Sequence, residues 1–251
     1  MQGFGGKSSM GLGFTVGLLS DLIQNDSESA DDMRRVFLVT AKAMVDAGLP
    51  AHGEPEDCKV WWADGYGYTG LHALREVAGL VWRGLPIPTD HILSGEVTPN
   101  SEALFDTAAA ACAPARRQGM FARLLGEKKP DVPALPPFAH LVLHSDAEGF
   151  YVPVDFAQPL IPLPFPPGTE SLWPLGSVQR LAAELDALAR TLQLPLDFPD
   201  PDEVLETWLE PTPSDQVTAL WQAQPIATYS LIILRRACDH SLATGAAIAF
   251  G

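Results

Sequence analysis

The residues best suited to chemistry lie close together between positions 138 and 156. Two histidines, two aspartates and a tyrosine occur there: His140, His144, Asp146, Asp155 and Tyr151. Imidazole and carboxylate groups can act as acids and bases and can bind metal ions. This segment is therefore the first candidate for a reactive site.

Two runs of β-forming residues flank a turn at 146–149 and predict a β-hairpin. Because side chains alternate across a strand, one face of the hairpin would be apolar. That face would contain Leu141, Leu143, Phe150, Val152, Val154 and Phe156. Pairing of Ser145 with Phe150 would then place all five reactive groups on the opposite face.

A metal site on that face is limited by strand geometry. At ~3.3 Å per residue, His140 and His144 would be ~13 Å apart and could not bind one ion. His144 and Asp146 would be ~6.6 Å apart and could share an ion with a third ligand, such as His72 or Asp155. We predict no metal and no other cofactor, with the His144 and Asp146 site as the alternative.

Acid–base catalysis would require a histidine oriented by a carboxylate. His144 with Asp146, or His140 with the opposing Asp155, could form such a dyad. The run 144–146 has the residue types of a catalytic triad, but Ser145 would point to the other face. The candidate catalytic residues are His140, His144, Asp146 and Asp155, and no nucleophile accompanies them.

A second candidate site is the glycine-rich turn at residues 65–72. Its backbone amides and the N-terminus of the helix predicted to follow could receive an anion. The side chains available for binding there are Tyr66, Tyr68 and His72. Glu148 and Tyr151 of the predicted hairpin are further binding candidates.

The chain is strongly acidic. Its 251 residues include 31 Asp and Glu against 16 Lys and Arg, a formal net charge of −15. This charge repels nucleic acid and anionic membranes and favours a basic protein partner. Basic pairs occur at scattered positions, so no basic stripe offsets the imbalance. We predict a basic protein partner and neither nucleic-acid nor membrane binding.

Cysteine usage and hydropathy indicate the compartment. The three cysteines are an odd, widely spaced set, which fits a reducing cytoplasm better than a disulfide framework. The apolar run at 10–19 has one lysine before it and no clear cleavage site after it, so we expect no signal peptide. No run reaches the ~18 apolar residues of a membrane span. We predict a cytoplasmic protein.

The hydrophobic pattern predicts an α+β fold. A content of 47% hydrophobic and 19% charged residues suits a folded globular protein. Helical periodicity predicts helices near 29–47, 69–83, 101–117, 177–192, 202–209, 214–222 and 226–242, and strands near 14–19, 58–62 and 246–250. Few strands among many helices favour a small, mostly antiparallel sheet with the hairpin at its centre. We predict a flexible tail at 1–9 and a single α+β domain at 10–251.

Several segments together resemble a bacterial protein family with no assigned activity. They are MGLGFTVGLL at 10–19, YTGLH at 68–72, the segment 140–156 and TGAAIAF at 244–250. The resemblance spans nearly the whole chain after residue 9 and supports a single domain. It implies no reaction, cofactor or catalytic residue, because none is assigned to that family.

Two classes of function follow from these observations. The favoured class is a non-enzymatic binding protein, such as an immunity or antitoxin-type inhibitor that covers the basic active site of a bacterial toxin. The alternative is a hydrolase that uses the His/Asp face of the predicted hairpin, with or without a metal ion. Binding is favoured because that face lacks a nucleophile and its two histidines diverge.

Overall fold

The computed structural model describes residues 12–65, 67–113, 134–146, 149–161, 174–210, 213 and 215–251. The tail predicted at residues 1–9 lies outside these ranges.

A five-stranded sheet runs through the described part of the chain. Its strands are β1 (Gly13–Val16), β2 (Trp61–Asp64), β3 (Phe150–Val152), β4 (Gly176–Ser177) and β5 (Ile248–Phe250), in the order β2-β1-β5-β3-β4. All neighbours are antiparallel except β3 and β4. The prediction of a small, mostly antiparallel sheet is confirmed.

Helices account for most of the remaining described residues. They are α1 (Leu18–Asn25), α2 (Ser27–Asp46), α3 (Tyr68–Trp82), α4 (Pro99–Cys112), α5 (Ala139–Leu143), α6 (Val178–Thr191), α7 (Pro201–Leu209), α8 (Leu220–Ala223) and α9 (Pro225–Thr244). The α+β fold class is therefore confirmed.

Both faces of the sheet are covered by apolar side chains. Phe14, Ile248 and Phe250 belong to the larger core cluster, which α3, α6 and α9 complete. Phe150 and Val152 belong to a second cluster with residues of α2. The sheet is thus a layer between helices, and its central strands β1, β5 and β3 are mostly apolar and buried, whereas the edge strand β2 is partly exposed.

Single residues explain where α6 begins and how closely α3 and α9 pack. Ser177 caps α6, as its position before the apolar stripe predicts: its Oγ accepts a hydrogen bond from the Arg180 N–H at 3.4 Å. Gly70 of α3 faces α9, where a Cβ atom would lie 2.2 Å from the Ser230 Oγ. The glycine allows these two central helices to approach each other.

The predicted hairpin at 138–156 is wrong in its first half. Residues 139–143 form the short helix α5, and β3 pairs with β4 and β5 instead of with this segment. Glu184 of α6 explains the helix, because its carboxyl oxygens accept hydrogen bonds from the N–H groups of His140 (3.1 Å) and Leu141 (2.8 Å). A distant side chain thus satisfies the first turn of α5 and overrides the local β preference.

Removal of the Glu184 carboxylate should destabilise the protein through α5. Glu184→Ala leaves two N–H groups without their acceptor, so we expect the free energy of unfolding to fall by about 2–4 kcal/mol. Glu184→Gln keeps one acceptor oxygen and should lose less. Urea denaturation measures both, with the exposed Glu206→Ala as the control. Equal losses for Glu184→Ala and Glu206→Ala would contradict this role.

Candidate functional site

An ionic cluster joins α3 to the segment that follows α5. Residues His72 and Arg75 lie one turn apart on α3 and both contact the carboxylate of Asp146. The His72 Nε2 is 2.8 Å from one carboxylate oxygen, and the Arg75 Nη1 donates to the other. Arg75 also donates to the carbonyl oxygens of His144 (2.6 Å) and Leu141 (3.1 Å). We call His72, Arg75 and Asp146 the α3 clasp.

Both ring nitrogens of His72 face acceptors. Nδ1 lies 3.1 Å from the Gly95 carbonyl oxygen, and Nε2 contacts Asp146. Both contacts are satisfied together only by the doubly protonated ring, and the Asp146 hydrogen bond raises the pKa of His72. Burial tends to raise the pKa of Asp146, but its contacts with His72 and Arg75 hold that pKa well below its usual range. Because both ring nitrogens of His72 and both carboxylate oxygens of Asp146 are engaged, neither group presents a free site for a general base.

The two histidines of the predicted polar face are buried and do not converge. The His140 Nδ1 accepts a hydrogen bond from the Ser177 N–H at 3.0 Å, and its Nε2 faces the Ala157 carbonyl oxygen at 3.3 Å. The His144 ring stacks on Tyr151 at a centroid distance of 4.1 Å. Burial lowers the pKa of His140 to about 4 and that of His144 to about 3. Both rings are therefore neutral parts of the core.

The remaining predicted site residues also separate. Asp155 forms an exposed ion pair with Arg180 at 2.6 Å, so the expected His140 and Asp155 pair does not form. Tyr151 is buried and donates to the His140 carbonyl oxygen at 2.9 Å. Tyr68 is exposed at the first position of α3. Tyr66 and Glu148 lie outside the described residues.

The alternative metal site is not assembled. The ring of His144 packs on Tyr151 and Phe250, away from the Asp146 carboxylate that the α3 clasp holds. Within the described ranges, no group of three or more His, Cys, Asp or Glu residues converges as metal ligands would. Burial raises the pKa values of the thiols of Cys58, Cys112 and Cys238, as expected of unreactive cysteines.

A surface of one charge sign follows α6. Residues 191–234 contain no Lys or Arg, and every acidic residue of this stretch is exposed. They are Asp197, Asp200, Asp202, Glu203, Glu206, Glu210 and Asp215. We call residues 197–215 the acidic segment; the structure describes it except at 211, 212 and 214. Helix α7 at its centre is fixed to the core by the buried Val204.

A cleft of about 530 Å³ lies above the α3 clasp. The clasp residues line it together with the segment 142–145 and one face of α4. Its apolar walls include Val97 and Phe105, which are 68% and 46% exposed. Glu102 and Asp106 of α4 are exposed and also line it. The cleft combines apolar walls with carboxylates open to solvent.

Comparison with known proteins places the chain in a family. A family model described as "Putative DNA-mimic protein" matches residues 10–250. The chain belongs to this family. No curated protein and no solved structure gave a match. The resemblance expected from the sequence is confirmed, since this DNA-mimic family has no firmly assigned activity.

The DNA-mimic family suggests a non-enzymatic, protein-binding role, in which a protein surface substitutes for DNA. The partner prediction made from composition is corrected by this match. The class of partner that the family implies is a DNA-binding protein, rather than any basic protein, and DNA is the ligand that the protein would imitate.

No helix among the described residues is both long and apolar enough to cross a membrane.

Sequence reasoning named His72 and Asp146 but missed Arg75, which completes the clasp. Its contacts are with residues about 70 positions away, and no local pattern signals them. The acidic segment was also missed, although the lack of Lys and Arg over residues 191–234 is visible in the sequence.

The pair His72 and Asp146 should be coupled in a pH-dependent way. In a double-mutant cycle with His72→Ala and Asp146→Ala, we expect a coupling energy of about 1 kcal/mol at pH 6. It should decrease by pH 9, because the raised pKa of His72 means that its charge is lost as the pH rises through that value. Urea denaturation at both pH values gives the cycle. The exposed pair Arg180 and Asp155 is the control, and its coupling energy should not change between these two pH values. If the coupling energy of His72 and Asp146 were equally constant, a charged His72 imidazole could not be the source of the coupling.

Stability should be highest near pH ~6.5. Burial lowers the pKa of His140 to about 4 and that of His144 to about 3 in the folded protein. As the pH falls below ~6.5, both histidines therefore bind protons in the unfolded chain but not in the folded one, and the folded state loses stability. Burial raises the pKa of Glu184 to about 8, so its contribution has the opposite sign. Between pH ~4.5 and ~6.5 the effect of the two histidines is larger than the opposite effect of the one glutamate. The free energy of unfolding therefore increases with pH over this range. Above pH ~6.5, Glu184 and His72 make it decrease.

Urea midpoints at pH 5, 6.5 and 8 test this profile. His144→Phe keeps an aromatic ring in the stack but cannot be protonated, so it should reduce the stability lost between pH 6.5 and pH 5. The exposed His91→Gln should leave that loss unchanged. A loss as large in His144→Phe as in the natural protein would show that His144 does not control the acid limb.

Proposed function

We propose that this protein binds the DNA-contacting surface of a DNA-binding protein and competes there with DNA. The observation that carries the proposal is the acidic segment: exposed carboxylates without a single Lys or Arg between positions 191 and 234. None of these carboxylates forms an ion pair with another described residue. Their charge is therefore available to a partner that carries Lys and Arg for phosphate binding.

The spacing of the charges supports this proposal. Asp202, Glu203, Glu206 and Glu210 occur within eight residue steps, or ~12 Å at the rise of an α-helix. This gives one carboxylate per ~3–4 Å, while each strand of B-DNA carries one phosphate charge per ~3.4 Å. Residues 202–210 thus have about the linear charge density of one DNA strand.

The helix that carries these charges is held in place by the fold. Asp200 caps α7 through a hydrogen bond from the Asp202 N–H at 2.9 Å. The side chain of Val204 is fully buried on the opposite side of the helix from Glu206. A helix backbone that is fixed in advance loses little conformational entropy on binding, which favours affinity for a partner.

The predicted toxin inhibitor is a narrower form of this proposal. It applies where the toxin itself binds DNA, as a nuclease does. No observation favours the alternative hydrolase, because the histidines that it would use are occupied or buried. We further propose that the protein acts in the cytoplasm, where bacterial DNA-binding proteins meet their DNA.

The test isolates the partner and asks whether DNA competes for it. Bacterial proteins retained on double-stranded DNA are passed over the immobilised protein, and the retained species are eluted with a double-stranded oligonucleotide and identified. The partner is then purified, and its affinity is measured across a range of salt concentrations. We expect DNA to displace it and the affinity to fall steeply with salt.

Matched charge variants locate the interface. Glu203→Gln/Glu206→Gln/Glu210→Gln should weaken binding by about tenfold or more, and it should reduce the salt dependence. Glu28→Gln/Asp46→Asn/Asp57→Asn removes the same charge from another surface and should change affinity by no more than about twofold. Equal effects of both variants, or binding that DNA does not displace, would refute the proposal.

A further inference from the structure

We propose that the cleft above the α3 clasp receives an arginine side chain of the DNA-binding partner. This inference rests on the proposed function for the identity of the partner, but the cleft can be tested alone. It concerns a surface outside the acidic segment, formed by α4 and the segment 142–146.

Helix α4 presents an acidic and aromatic face to the cleft. Glu102, Phe105 and Asp106 occupy positions i, i+3 and i+4, which lie on one side of a helix. Glu102 and Asp106 are exposed, and neither forms an ion pair with another residue in the described ranges. Phe105 is 46% exposed and lines the cleft together with the exposed Val97, so the two form an apolar surface open to a partner.

The occupant that suits this face is a guanidinium group. It is planar, donates in pairs to carboxylates and stacks on aromatic rings, so it can contact Glu102, Asp106 and Phe105 together. The aliphatic part of an arginine would lie along Val97, Val142 and Pro174, which line the same cleft. Its volume of about 530 Å³ is ample for one side chain and part of its backbone.

The basic residues of the cleft do not prevent the binding of an arginine. Each of the three side-chain nitrogens of Arg75 already donates a hydrogen bond: Nε to the Leu141 carbonyl oxygen, Nη1 to Asp146 and Nη2 to the His144 carbonyl oxygen. Its charge is neutralised by Asp146. His72 adds at most one positive charge, against the two carboxylates on α4, so the sum over the cleft is negative.

The test uses a small probe with a single charge. The tripeptide acetyl-Gly-Arg-Gly-amide is titrated into uniformly ¹⁵N-labelled protein, and amide shifts are followed by NMR. We expect binding on the order of 1 mM, with the largest shifts at residues 97–106 and 142–146. The citrulline peptide, which has the same shape without the charge, should bind at least ~5-fold more weakly.

Variants separate the cleft from general charge. Glu102→Gln/Asp106→Asn should raise the dissociation constant of the arginine peptide by ~5-fold or more, whereas the matched Glu28→Gln/Asp57→Asn should change it by less than ~2-fold. Phe105→Leu should weaken binding of the arginine peptide more than binding of the corresponding lysine peptide, acetyl-Gly-Lys-Gly-amide, because the planar guanidinium group stacks on the ring and an ammonium group does not. Circular dichroism confirms that the variants are folded.

Shifts confined to the acidic segment, or equal losses in the two double variants, would overturn the arginine site and leave the proposed function standing. Arginine binding in the cleft together with the absence of any DNA-competed partner would instead overturn the proposed function alone.

Discussion

Mutual repulsion of carboxylates is the constraint to which the rest of the structure responds. The sequence carries 31 acidic and 16 basic residues, so about half of its negative charge is not balanced by Lys or Arg. Many of the cations are already committed: Arg34 contacts Asp31 and Glu56, and Arg235 contacts Asp186 and Asp239. The uncompensated charge is left on the surface, where water screens it, and it is most concentrated after α6. Apolar cores on both sides of the sheet must offset this repulsion.

Buried carboxylates have a different role, which is to bind backbone and side-chain donors. Glu184 accepts from the first turn of α5, and Glu76 accepts from the Ser101 N–H (3.2 Å) and the Asn100 amide (2.8 Å) at the start of α4. Glu54 accepts from the Ala247 N–H at 2.8 Å and contacts His52. In each case the side chain accepts a hydrogen bond from an amide that is distant in the sequence. These buried acidic residues are therefore structural, whereas the carboxylates of the acidic segment form no ion pair with any described residue.

The sequence could predict those features that depend on local pattern. The stripe after Ser177 and its cap define α6, and the apolar ends of the chain define β1 and β5 as neighbours. The predicted hairpin does not form because the N–H groups of His140 and Leu141 donate hydrogen bonds to Glu184, which lies more than 40 residues later in the sequence. Arg75 was missed for the same reason. His72 was named as a possible companion of Asp146, and the two are 2.8 Å apart, although as an ion pair rather than as metal ligands.

The fate of the histidines explains why the molecule fits binding better than catalysis. A catalytic imidazole needs one nitrogen free for substrate and a pKa near the working pH. His72 has both nitrogens engaged, and His140 is held between the Ser177 N–H and the Ala157 carbonyl oxygen. His144 is enclosed by Tyr151 and Phe250, which lowers its pKa to about 3. These three rings therefore act as structural groups that join α3, α5 and the sheet, and none of them presents a nitrogen at the surface with a pKa suited to proton transfer near neutral pH.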